Sequence, residues 1–368
     1  MRYHTTLSFA LLTLFACTPL VAYGADVTCP PADTACLLEA FHTANAGDPT
    51  TVTLAAGTYV LDRIDNDDSG EGPNATPVLT GQLTVRGQGA GITILQRPAT
   101  APDMRLLQVT QDGCLTLERL TLTGGQGAVN QAQRGGVLHN SGTSILHGVE
   151  LLSNSATIGG ALYSVATGSH LEVHASRCAN NFAELLGGCL AAVNAWLDQV
   201  LCDGNVSDLF DGCGVVVDAQ VDAVVCLNNG TDVSGGCLTT SGTVHVRDSF
   251  VGGNLSTVAA GGIDQADGDL TLLRTALVQN GAWHFGGGLR AAGRVRLVES
   301  VVLRNQVLVG GLGGGILADD GADVRLVRSV LAFNTATQGP DCSGTVTNKQ
   351  SFIGDRTGCT VEEHGHDE

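Results

Sequence analysis

The chain is poor in positive charge: one lysine, Lys349, among 18 basic residues stands against 36 acidic ones, a formal charge of −18 at neutral pH. A field of that sign repels phosphate, so nucleic acid and anionic lipid surfaces are poor partners. Aromatic residues make up only 4% of the chain, so small side chains must fill the interior. No run sustains helical apolar spacing, which argues against a helical architecture. No CxxC pair occurs, so zinc lacks its usual ligand spacing. Beyond residues 7–17 no apolar segment is suited to hold the chain in a bilayer.

A repeat dominates what is there. An apolar residue, two variable residues and an asparagine recur eight times, at Leu151/Asn154, Cys178/Asn181, Cys202/Asn205, Cys226/Asn229, Val251/Asn254, Leu277/Asn280, Val302/Asn305 and Leu331/Asn334. Successive asparagines lie 27, 24, 24, 25, 26, 25 and 29 residues apart. A second phrase keeps step: two small residues, then a core-sized one. It runs from Gly135-Gly136-Val137 through Asp211-Gly212-Cys213 and Gly235-Gly236-Cys237 to Gly261-Gly262-Ile263 and Gly314-Gly315-Ile316. Ten and eight residues before each asparagine stand apolar pairs such as Leu171/Val173, Ala195/Leu197, Ala219/Val221 and Val244/Val246, with Ser144/Leu146 the weak case. The residues between them are mostly polar, and period two means a strand with one buried face. The period resembles that of leucine-rich repeats, but their signature leucine spacing and repeat helix are missing. The spacing predicts an all-β fold, a single-stranded right-handed parallel β-helix, one coil per repeat, with like residues stacked about 4.8 Å apart. Glycine and asparagine are expected at the corners because they tolerate positive φ, and stacked asparagines can pass amide hydrogen bonds from coil to coil.

Residues 1–24 read as a signal peptide: Arg2, an apolar run, Pro19, and Ala22-Tyr23-Gly24 as the cleavage site. An alternative cut would lipidate Cys17. Residues 25–104 read as an N-terminal cap and first coils, with a short amphipathic helix over 35–45 and strands over 51–54 and 55–61. A cap covers strand edges that an open coil end would expose. The β-helix repeats occupy 105–340, and 341–368 form a closing cap and acidic tail.

The opening Cys36-Leu37-Leu38-Glu39-Ala40, one residue short of Cys-Ser-Leu-Arg-Glu-Ala, resembles the CSLREA-type right-handed parallel β-helix repeat proteins of bacterial exteriors. Ala56-Gly57-Thr58-Tyr59 and the stretch Leu79 to Gly87 fit the same pattern. Gly339 to Gly344 and Ile353 to Cys359 resemble its closing cap, and the glycine and asparagine phrases are similar to those of chlamydial polymorphic outer-membrane proteins. The resemblance implies the fold and an exported, cell-surface or periplasmic location, and it brings no catalytic residues.

Export makes the cysteines informative. Cys29/Cys36 and Cys342/Cys359 are natural local bridges at the two caps. Cys178, Cys202, Cys226 and Cys189, Cys213, Cys237 form two columns, and bridges 178–189, 202–213 and 226–237 across the asparagine corner are the preferred pairing. Reduced thiols packed as small apolar residues are the alternative. Cys114 has no evident partner.

One outward face carries the candidate chemistry. His170, Glu172 and His174 share it, and the same positions in the following coils hold Trp196/Asp198, Asp222 and His245/Arg247. Clustered carboxylates can divide into a general acid and a base. Asp198 and Asp222 as that pair, with His174, Arg247 on a uronate carboxylate and Trp196 stacked on a sugar, would suit a polysaccharide lyase or hydrolase; Glu172, His170 and His245 would line the site. Pectate-lyase-like enzymes share the architecture, but a shared fold confers no activity. Short loops make a poor cleft, so the leading expectation is a non-catalytic exported protein, monomeric, that presents this face to a glycan or a surface protein. No metal or cofactor is expected. The one calcium alternative is the loop with Asp65, Asp67, Ser69 and Gly70 at positions one, three, five and six, which has Thr76 where the glutamate of position twelve belongs. His364 and His366 read as part of a disordered end.

Overall fold

The computed structural model describes residues 24–67, 70–127 and 133–363. Residues 1–23 of the signal segment with Cys17, Ser69 of the calcium loop, and His364 and His366 lie outside the described residues. The chain winds as a right-handed parallel β-helix, as the repeat predicts. One coil shows how. In Gly214–Asp222, Ala219 and Val221 turn inward and Gln220 and Asp222 outward. A left-handed corner at Ala223 (φ 52°) leads to Val225–Leu227, where Cys226 is buried. A second corner at Asn228 (φ 54°) turns Asn229 into the interior, and Gly230–Thr231 follows. Gly235 (φ 73°) makes the third corner, and Leu238–Arg247 begins the next coil.

Stacking these segments gives four ladders of parallel strands. The first runs from Ala25–Cys29 to Cys359–Glu363. The second has twelve strands, one per turn, from Gly57–Val60 to Phe352–Ile353. The third has seven, from Ser155–Ile158 to Gln306–Val307. The fourth joins Leu107–Val109, Leu138–Asn140 and their successors to Ile316–Ala318 and Cys342–Lys349. Gly214–Asp222, Leu238–Arg247 and Cys342–Lys349 run through both the first ladder and the fourth.

Every predicted inward pair is buried, from Ser144/Leu146 to Val324/Leu326. The weak case has its own explanation: Ser144 Oγ donates to Asn140 Oδ1 at 2.9 Å, and Asn140 Nδ2 donates to the Ser164 hydroxyl and to the carbonyls of Gly142 and His170. The asparagines form one continuous column. Each Oδ1 accepts from the backbone N–H and the Nδ2 of the asparagine one coil earlier, from Asn154 and Asn181 (2.9 and 3.0 Å) to Asn305 and Asn334 (2.9 and 3.0 Å). The column opens with the Gly125 N–H on Asn154 Oδ1 and closes on Asp341, whose Oδ1 accepts both donors of Asn334.

All five predicted disulfides are present: 29–36, 178–189, 202–213, 226–237 and 342–359. Cys114 corrects the sequence reading, because it too is disulfide-bonded and no described cysteine is free. Several disulfides fit an extracellular protein. Among the described residues no helix is long and apolar enough to cross a membrane.

Two expectations change. The column asparagines do not hold positive φ. The residue before each does, whether Ser153, Asn180, Gln279, Arg304 or Phe333, because the chain must turn there to bring the amide inside. The glycine phrase also slips by one residue. Leu238 pairs with Ile263, so Cys237 stands opposite Gly262, not Ile263. In the later coils that position is glycine because a side chain would collide with the backbone carbonyl of the next coil and also press on the asparagine column: a methyl on Gly288 would lie 2.7 Å from the Gly315 carbonyl oxygen and 2.9 Å from Asn305 Nδ2, and one on Gly315 would run into the Asp341 carbonyl and lie 2.8 Å from Asn334 Nδ2.

At the amino end the helix Thr34–Asn45 is capped by Asp33, which accepts from the Cys36 N–H, and buries Leu37, Ala40, Phe41 and Ala44 on the first coils. At the other end, Asp341 Oδ2 accepts from the Asp355 N–H at 2.6 Å. Asp341→Asn must then face a donor with a donor. It should cost about 1–3 kcal/mol in urea unfolding, the usual cost of a buried unsatisfied polar group; wild-type stability would show that the column needs no acceptor-only terminus.

Candidate functional site

The first ladder places the predicted residues as the period implies. Its register runs Glu118, His147, His174, Asp198, Asp222, Arg247 along one outward column. Glu172, Trp196, Gln220 and His245 form the column beside it, and His170 lies opposite Thr143. All eight candidates therefore share one strip, because outward positions of a period-two strand repeat on every coil.

Within the strip they form two groups. Glu172 is clamped by two imidazoles, His170 Nε2 at 2.8 Å from Oε1 and His174 Nε2 at 3.0 Å from Oε2. The other nitrogen of His174 lies 3.7 Å from Asp198 Oδ2, and its ring meets Trp196 edge-on with centroids 4.9 Å apart. Trp196 is 40% exposed, the large apolar surface of the group. Burial pushes the Glu172 carboxyl up, but the hydrogen bonds and charge of His170 and His174 outweigh it and hold the group below its ordinary value. In the second group Arg247 grips Asp222 bidentately, Nε to Oδ1 at 2.7 Å and the second nitrogen to Oδ2 at 3.0 Å. Gln220, His245, Arg247, Thr271 and Leu273 line a shallow depression there.

The pairing limits the chemistry. Both Asp222 oxygens are held in a charged fork, and Arg247 is committed to Asp222 before any uronate arrives. Glu172 has each oxygen engaged by an imidazole. The calcium loop is engaged locally: Asp65 accepts from the Asn66 amide, which also donates to the Thr76 carbonyl.

Sequence reasoning missed the outward face of the fourth ladder, where Gln108, His139 and Tyr163 follow one another and, beyond Ala191 and Val215, so do Thr239, Asp264 and Arg290. This face is sheltered: Gln108, His139 and Asp264 are buried. At one end Arg105, fully buried, donates to Asn74, Gln108 and the Glu71 carbonyl, and burial brings its pKa down to about 10. His139 lies edge-on to Tyr163, and burial, with Arg105 and Arg134 nearby, lowers it to about 3, so it is neutral. Farther along stand Asp211 and Asp264, both pushed up by burial. The signal for Asp211 was present in the sequence: it interrupts a glycine phrase, where it passed for one more small residue.

No family model matches the chain, and no curated protein matches it in sequence. Among solved structures it is similar to the A-modules of two Azotobacter vinelandii mannuronan C-5 epimerases. AlgE6 matches at 14% identity and TM-score 0.41, over 94% of this chain and 98% of that one. AlgE4 matches at 14% and 0.40, over 94% and 96%. The catalytic unit of a GH87 α-1,3-glucanase from Streptomyces thermodiastaticus matches at 12% and 0.39, over 94% and 71%. At these identities and TM-scores the likeness carries no argument about this chain, and no functional residue is carried over.

The Glu172 clamp makes a pH-dependent contribution. A carboxyl depressed on folding stabilises the chain above its unfolded value and loses that contribution as pH falls through the folded one. Glu172→Gln should cost about 0.5–1 kcal/mol near pH 6, the scale of a partly exposed pair. The gap to the wild type should narrow as pH falls below the ordinary carboxyl value of 4.5 and through the lower folded one. Urea unfolding across that range tests this, and a gap that does not vary with pH would refute the clamp.

Proposed function

We propose that this is an exported β-helix protein of the CSLREA type that presents the His170–Arg247 strip as a binding face for a glycan or a surface protein, and that the strip does not turn substrate over. The observation that carries the reading is mutual neutralisation. Both oxygens of Glu172 are met by histidines, and both oxygens of Asp222 by Arg247, while Trp196 is left exposed beside them. Saturated charges make a rigid polar floor, and an exposed indole over such a floor suits a sugar ring. Disulfides at both caps and across the middle coils support a location outside the cell. The second reading, a polysaccharide lyase or hydrolase, is favoured by the contact between His174 and Asp198 beside Trp196.

The two readings separate cleanly. The wild type is screened against neutral and acidic polysaccharides for binding and for unsaturated or reducing ends. The binding face predicts retention without products and a loss of about tenfold on Trp196→Ala, from one aromatic contact worth about 1 kcal/mol or slightly more. Asp222→Asn should leave binding within about twofold, because that carboxylate is already spent on Arg247. Products released by the wild type and lost on Asp222→Asn would establish the enzyme instead.

A further inference from the structure

Nine equivalent third-corner positions have positive φ: Gly135, Gly159, Gly187, Asp211, Gly235, Ala260, Gly286, Gly313 and Gly339. Seven are glycine for a steric reason, since a methyl on Gly135, Gly159 or Gly187 would collide with a carbonyl of the strand that follows. Asp211 holds φ 68° with a full side chain. It is 1% exposed, and neither carboxylate oxygen makes a hydrogen bond of ordinary geometry; Thr239 lies near enough to offset only part of the cost of burial. An unpartnered buried carboxylate is among the most costly groups a fold can carry.

Its surroundings are rich in oxygen. The Asp211 side chain reaches over Gly235 of the next coil: a methyl built there would run into Asp211 Oδ1 and stand 2.7 Å from Thr239 Oγ1. Glycine thus leaves a cradle between the two side chains. Thr239 pairs in register with Asp264, and Asp264 is buried too. Thr239 Oγ1 and Asp264 Oδ1 also lack hydrogen-bond partners. Arg290 lies 3.6 Å from Asp264 Oδ1 but is held closer, at 2.7 Å, by Asp319. Asp211 Oδ1 and Thr239 Oγ1 therefore meet over the space that a side chain at Gly235 would fill, and Asp264 stands in register one coil beyond Thr239, so that three successive coils contribute.

The geometry points to a binding site for a hard divalent cation of the calcium class, held by Asp211, Thr239 and Asp264 on the sheltered face. Carboxylate and hydroxyl oxygens without nitrogen or sulfur select such an ion. An ion there would satisfy the orphaned oxygens and draw three successive coils together. The site is distinct from the outer strip and does not rest on the function proposed for it.

The test uses the full chain, with Ca2+ as the probe. Elemental analysis of wild type exposed to Ca2+ should find one tightly held calcium, and thermal unfolding should show Tm higher by several degrees in millimolar Ca2+ than in chelator. Calcium retained through chelation supports the site equally. Asp211→Gly restores the residue most common at this corner, so it should fold, melt no lower than wild type in chelator, and lose both the calcium and the shift. Asp264→Asn should lose the shift as well. No bound calcium with an unchanged Tm would overturn the proposal, as would an Asp211→Gly chain that keeps the shift.

Discussion

The fold depends on a single column of amides. Each asparagine offers an acceptor to the coil before it and donors to the coil after it, and its Nδ2 also meets a backbone carbonyl, as Asn205 meets Cys178 at 3.0 Å. Every residue of the column is buried, where a broken link would strand donors and acceptors together. The period of the chain is therefore set tightly along this line and loosely elsewhere. Spacing between asparagines drifts from 24 to 29 residues because the surplus goes mainly into the connection between the fourth and first ladders, as at residues 165–169 and 319–322, and not into the column. The three internal disulfides cross this corner, and the sulfurs of Cys178, Cys202 and Cys226 lie 3.2–3.4 Å from the asparagine amides.

Much of this was legible beforehand because solenoids repeat their chemistry. Period two identified the buried pairs, and equal spacing identified the stacked residues, so the strip from His170 to Arg247 and the disulfide partners could be read without coordinates. What could not be read depends on the path of the backbone. Positive φ before each asparagine belongs to the position and not to the residue type, so Gln279 and Phe333 carry it unannounced. A second, broken ladder of hydroxyls at Ser249, Ser300, Ser329 and Ser351 caps the N–H groups of Val224, Thr275, Ser300 and Ser329, and serine is too common to announce it. The candidate site was legible in its membership but not in its pairing. Nothing in the spacing of Asp222 and Arg247 says that they close on each other.

Charge is graded along the coil axis. The middle coils expose histidine and carboxylate, and the later ones expose Arg294, Arg296 and Arg325 on the same outer ladder. Those arginines are interleaved with acids: Arg294 reaches Asp269 and Asp323, and Arg325 reaches Asp323. The acidic excess of the chain is therefore locally balanced on this ladder, which leaves polarity and exposed apolar groups, and not net charge, to decide what adheres there.

The closing residue of the amide column has a consequence for length. Each internal asparagine both gives and receives, so a segment running from one asparagine to the next carries matched donors and acceptors. Such a segment can be excised or duplicated without creating an orphan. Asp341 cannot be placed internally in this way, because it receives on both oxygens and passes nothing on. The chain thus has interchangeable middle parts and a unique full stop, and its reach along the axis can be altered a coil at a time while both ends keep the same chemistry.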